Sequence, residues 1–220
     1  KNYFDKDVCV LPHSLILLKF GLQFNQDVSV LPPALKHLTF GKLFNQNVSN
    51  LPSFLTHLTF GWNFNQDVSV LPSNITYLTF GFHFNQDISN LPQTITHLEL
   101  GYKFNKECCI SPNIKYLKLN CNNLHIIDSL PNSIVELELG HDFKLEINNL
   151  PTSIKKLIFL VNSNFEADLN CLPYYIEELH LNRNYKKRIL NIPPNLKKII
   201  CCRNYPYIND FAIYDVETYY

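Results

Sequence analysis

Neither sign of charge is in excess in this chain: 19 Lys and Arg stand against 19 Asp and Glu in 220 residues. Phosphate binding needs a surplus of Lys and Arg on one face, so nucleic acid is not expected as the main ligand. No apolar run approaches the roughly 18 residues that span a bilayer, so no membrane partner is expected either. Methionine is absent, and the start at Lys1 shows no secretory signal. The seven cysteines, Cys9, Cys108, Cys109, Cys121, Cys171, Cys201 and Cys202, are odd in number and fit no paired framework. Two adjacent pairs are not C-x-x-C knuckles, so the expected state is buried free thiol in a reducing compartment. What is present is apolar substance: a hydrophobic fraction of 46% is that of a folded chain.

That substance is periodic. Leu51–Asn65 reads L-P-S-F-L-T-H-L-T-F-G-W-N-F-N, and the same pattern returns with few changes from Leu31, Leu71 and Leu91. The period is 20, and the consensus is L-P-x-x-L-x-x-L-x-F-G-x-x-F-N-Q-D-V-S-x. Its marker prolines run from Pro12 to Pro112 in even steps, then through Pro131, Pro151, Pro173 and Pro193 at 19 to 22 residues. Phe4-Asp-Lys-Asp-Val8 lies in register with Phe24-Asn-Gln-Asp-Val28, so the chain is expected to open inside an array. Such a chain buries apolar surface by stacking units, and its function is expected on a surface that stacking creates.

Within a unit, Leu58 and Phe60 alternate with Thr59, the period of a half-buried strand. A three- or four-residue strand gains a core only beside its copy in the next repeat, about 4.8 Å away. Phe20, Phe40, Phe60 and Phe80, with Phe24, Phe44, Phe64, Phe84 and Phe104, are expected to fill the interior as two aromatic stacks. The glycines at Gly21, Gly41, Gly61, Gly81 and Gly101 imply either a special backbone conformation or close approach of neighbouring turns. The asparagines at 25, 45, 65, 85 and 105 are expected to point inward and satisfy turn backbone groups. The Leu-Pro pair suits an extended return outside the sheet. A 20-residue unit leaves little room for a helix.

Ile114-x-x-Leu117-x-Leu119-x-x-Asn122-x-Leu124 fits the leucine-rich-repeat pattern in full. Ile176 to Asn184 and Leu196 to Asn204 fit most of it. The F-G-x-x-F-N units resemble the FNIP branch of leucine-rich repeats, found in amoebae and giant DNA viruses. Asn120, Asn182 and the Cys201–Cys202 pair depart from that pattern. The fold expected is a leucine-rich-repeat solenoid, with short parallel strands on a concave face, turns and extended segments outside, and little or no α-helix. Residues 1–204 would form about ten repeats and 205–220 a cap or tail, with Ile208, Phe211, Ile213 and Val216 folding over the last repeat.

The outward strand positions form columns. Before the central apolar residue they read His37, His57, Tyr77, His97 and Tyr116; beyond the glycine they include Trp62, Phe82 and Tyr102. Stacking alone accounts for such a ladder, but exposed aromatics also supply interface anchors. These eight residues are the candidate partner-binding set. Two adjacent histidines are too few for a zinc site, which needs at least three protein ligands. No nucleophile recurs beside them, so no catalysis, metal or cofactor is expected. Later strands turn charged, through Lys118, Glu136, Glu138, Lys156, Glu178 and Lys198. The expected role is a protein-binding scaffold. Relatives often carry an F-box, so the resemblance implies substrate recruitment for a ubiquitin ligase. It also implies a cytoplasmic site, in the host cell if the source is a virus. A homodimer through the termini is the alternative.

Overall fold

The computed structural model describes residue 8 and residues 11–220. The early half-repeat around Phe4 and the thiol of Cys9 lie outside the described residues, apart from the buried Val8. The fold is a parallel β-solenoid of about ten turns with almost no helix, of the leucine-rich-repeat type. It divides into two compact units, 1–113 and 114–220.

In the first unit, β1 (Leu17–Lys19), β2 (His37–Thr39), β3 (His57–Thr59), β4 (Tyr77–Thr79) and β5 (His97–Leu100) pair in parallel and in chain order. Each residue faces the one twenty positions on, as Leu38 faces Leu58 and Leu58 faces Leu78. The period therefore sets the register, and the middle residue of β2 to β4 is buried between two outward ones. Inside, the strand-end Phe and the Phe four residues later lie face to face. Their centroids are 3.7 Å apart in Phe40–Phe44 and in Phe60–Phe64. Successive repeats follow at 5.7 Å for Phe40–Phe60 and 6.0 Å for Phe44–Phe64. The two expected columns are thus one double stack.

Turns close each unit with short local bonds. The Gly61 carbonyl accepts from Phe64 N at 3.4 Å, and the Pro52 carbonyl accepts from Leu55 N at 3.2 Å. The proline accordingly opens a tight turn where an extended return was expected. No described residue has positive φ. The glycines answer instead to stacking: a Cβ on Gly61 would sit 1.9 Å from the Gly41 carbonyl oxygen, and one on Gly101 1.8 Å from that of Gly81. The asparagines are half-exposed or exposed, contrary to expectation, and link repeats along the edge. Asn45 Oδ1 accepts from Asn65 N at 2.9 Å, and Asn65 Oδ1 from Asn85 N at 2.8 Å. Each side chain caps a backbone N–H that no strand ladder reaches.

In the second unit, β6 (Tyr116–Leu119), β7 (Glu136–Leu139), β8 (Lys156–Phe159), β9 (Glu178–His180) and β10 (Lys198–Cys202) pair in the same way. Its one short helix, α1 (Leu124–Asp128), is capped by Asn123, whose side chain accepts from Ile126 N at 3.3 Å. The buried asparagine of β9's repeat is Asn182, which stands at the glycine position, while Asn184 of the leucine-rich pattern is exposed. Asn182 Nδ2 donates to the carbonyls of Ser163 and Phe165 at 2.8 and 3.2 Å. Residues 205–220 contribute a 3-10 turn, Ile208–Phe211, and β11 (Asp215–Tyr219), which adds to β10 in parallel. Phe211 is buried and Ile208 and Val216 half-buried, but Ile213 is 87% exposed and covers nothing. Six cysteines are described and all are free; Cys109 and Cys171 are exposed, against the expectation that the thiols are buried.

Candidate functional site

Strands β2 to β5 each offer outward positions on either side of a buried leucine. Because register repeats every twenty residues, like positions stack into columns. His37, His57, Tyr77 and His97 form one: centroids are 4.3 Å apart for His37–His57, 4.3 Å for His57–Tyr77 and 3.9 Å for Tyr77–His97. Thr56 Oγ1 shares a hydrogen bond with His57 Nδ1 at 2.9 Å, and Thr96 Oγ1 does the same for His97. Burial, then the neighbouring His37 and His97, hold the His57 imidazole below its ordinary pKa of 6.5. His57 therefore stays neutral near pH 7, within a ladder that presents an aromatic ridge. Tyr116 occupies the same repeat position in the second unit, where its phenol donates to Glu138 Oε2 at 2.8 Å.

Beyond the strands, Trp62, Phe82 and Tyr102 make a second column. Trp62 and Phe82 lie 4.4 Å apart with rings 3° from parallel, and Phe82 and Tyr102 follow at 4.9 Å and 15°. Trp62 is 46% exposed and Tyr102 38%, with Phe82 half-buried. Lys42 Nζ stands 5.3 Å over the Trp62 ring, and Lys103 Nζ lies 5.7 Å from Tyr102 and 6.0 Å from Phe82. His83 meets Phe82 edge-on at 5.0 Å. Sequence reading found the rings, with Lys42 in their column, but left Lys42, Lys103 and His83 out of the candidate set. Lys42 stands at the same repeat position as Trp62, and His83 and Lys103 each follow a ring residue, so the signal was there.

The second unit carries ions at the equivalent strand positions. Lys156 Nζ sits 3.7 Å from Glu136 and 3.6 Å from Glu178, and Lys198 meets Glu217 at 2.6 Å. Lys118 pairs with Glu138 at 2.9 Å, and His180 with Glu178 at 2.5 Å. Among the described residues no three His, Cys, Asp or Glu side chains cluster as metal ligands. No helix among them is long and apolar enough to cross a membrane.

No curated protein matches the chain. Among solved structures it is similar to CroV588, a giant-virus protein whose crystal structure is described as a novel circular leucine-rich-repeat structure. The identity is 38% and the TM-score 0.73, over 89% of this chain and 31% of that one. The chain thus spans about a third of the length of that relative. The FNIP Repeat family model matches residues 7–43, 44–83, 67–103, 104–142 and 126–162. With those matches running through most of the chain, in register with the stacked strands, this protein belongs to the FNIP repeat family of leucine-rich-repeat proteins.

Proposed function

We propose that this protein is an interaction scaffold whose first unit binds a protein partner through His37, His57, Tyr77 and His97 together with Trp62, Phe82 and Tyr102. The solvent-exposed Trp62–Phe82–Tyr102 column carries this reading. Large rigid rings lose little side-chain entropy on binding and dominate interface energies. A leucine-rich solenoid supplies the rigid backing that keeps them at fixed spacing. Analogy with F-box-bearing relatives takes the role one step further, to substrate recruitment for a ubiquitin ligase. Residues 205–220 would serve as the cap of the array, through buried Tyr205 and Phe211.

The test is affinity capture from the source cell, comparing the native chain with His57→Ala/Tyr77→Ala and with Trp62→Ala. Loss of one specific protein from both variants is the expected result. An unchanged set of captured proteins would sink the reading. A concentration-dependent mass without any partner would favour the homodimer instead.

A further inference from the structure

In the Trp62–Phe82–Tyr102 column the ring faces are already taken. Spacings of 4.4 and 4.9 Å leave no gap between neighbours, and Lys42 lies over Trp62 from the preceding repeat. A nucleic-acid base stacks on a free aromatic face, and such faces are what this column lacks. It turns ring edges outward instead, and the edge is the positive end of the aromatic quadrupole. Two ammonium groups reinforce that sign. Among the described residues no carboxylate stands in ion-pair range of Lys42 or Lys103, whose contacts are with the rings. His83, packed edge-on against Trp62 and Phe82, adds a third nitrogen base.

Three aspartates of this unit are committed elsewhere. Asp67 Oδ1 accepts from Ser69 N at 2.9 Å and Asp87 Oδ1 from Ser89 N at 2.9 Å, in turns that repeat at Asp27 with Ser29. These bonds to serine hold the carboxyls of Asp67 and Asp87 below the ordinary range. The neutral total charge thus conceals a local separation, with cations and ring edges on the aromatic rim and these three carboxylates in serine-held turns.

We propose that this rim docks an acidic peptide segment of the partner, its carboxylates meeting Lys42, Lys103 and the ring edges. This rests on the interaction-face reading and narrows it to one partner chemistry. Charge complementarity of this kind governs which partner is accepted and how fast it is captured.

Trp62 is the single tryptophan in the chain, so its fluorescence reports this site and nothing else. The full chain, immobilised, is offered a display library of random dodecapeptides, and enriched peptides are then titrated against it in solution. The expected outcome is a pool with net negative charge that perturbs Trp62 emission. Its binding should weaken about tenfold in Lys42→Glu/Lys103→Glu, and again on raising salt from about 50 to about 500 mM. Both lysines are exposed, so circular dichroism of the double variant should be unchanged. Neutral or basic peptides that still depend on Trp62 and Tyr77 would overturn the acidic chemistry and leave the interaction face standing. Peptides indifferent to Trp62 and Tyr77, or no enrichment at all, would overturn both. A single-stranded DNA oligomer that competes for the Trp62 signal would replace the peptide with nucleic acid.

Discussion

The two units solve the same stacking problem with opposite surfaces. In the first, the column before the central leucine is rings, His37, His57, Tyr77 and His97, at centroid spacings of 3.9 to 4.3 Å. In the second, the same column alternates in sign, Glu136, Lys156, Glu178 and Lys198, with Lys156 bridging both neighbours. A parallel sheet in strict register places identical positions side by side, so like must tolerate like or be replaced by its complement. Rings tolerate one another by stacking; like charges do not, and the sequence alternates them. An alternating charge ladder satisfies itself and leaves little to offer a partner. A ring ladder satisfies its faces but leaves its edges outward. That difference is the reason the proposed recognition face is placed in the first unit.

If the units differ only on the surface, their interiors should answer alike to truncation. Phe64 and Phe165 are both fully buried, the first between Phe44 and Phe84, the second between Phe143 and Tyr185. Phe64→Ala and Phe165→Ala should each cost about 3–5 kcal/mol, since backbones on either side are fixed by the ladder and cannot collapse into the void. Chemical denaturation measures both. A gap between them much beyond 2 kcal/mol would break the equivalence of the interiors.

One register position differs more sharply between particular repeats: it holds Gly61 in the first unit and Asn182 in β9's repeat, while β7's repeat keeps a glycine, Gly140. Gly61→Ala drives a methyl against the Gly41 carbonyl and should cost on the order of 1–3 kcal/mol. Asn182→Ala has the opposite fault. It removes the donor that serves the Ser163 and Phe165 carbonyls and should cost a similar amount, roughly 1–3 kcal/mol. Nothing can be added at the first site or taken away at the second. Asn182→Asp discriminates further: it keeps the size, loses the donor, and should be at least as harmful as Asn182→Ala.

The strands, the double Phe stack and the histidine–tyrosine ladder were legible because a period of 20 fixes the register, and register alone decides which side chains meet. The purpose of Gly61 was not legible, since a left-handed turn and a crowded one select the same residue; only the 1.9 Å approach of Gly41 separates them. The burial of Asn182 was not legible for a related reason. The leucine-rich pattern counts residues from the last leucine, whereas burial depends on where the turn leaves the strand, and here Asn182 reaches the interior. Of the candidate site, the rings were readable from their columns. The cations' positions beside the rings were readable too, but their contacts were not, because Lys42 and Lys103 reach over the rings by side-chain length, which spacing does not encode.

The charge ladder itself should matter little to stability. Lys156→Ala removes contacts to Glu136 and Glu178 at 3.7 and 3.6 Å, yet partly exposed pairs are screened and lose entropy when held. A cost of about 1 kcal/mol or less is expected, shrinking in high salt. A larger, salt-independent loss would mean that the second unit relies on its face for folding as well as for solubility.

Acid sets the two faces apart by the smallest effect and in different windows. The His57 pKa is depressed in the folded chain, by burial and then by His37 and His97. Folding is therefore favoured above the unfolded value of 6.5, and that contribution is lost as pH falls through the folded value. Glu177 is also depressed, by hydrogen bonds from Lys197 and Lys155, so its contribution survives until pH falls below the ordinary 4.5. The melting temperature of His57→Gln should accordingly rise relative to the native chain as pH drops below about 6.5, because glutamine takes up no proton. Glu177→Gln should track the native chain through that window and diverge only in the carboxylate range. If His57→Gln and the native chain kept a constant gap from pH 8 to pH 5, the histidine ladder would be electrostatically silent. Its rings would then act through stacking alone.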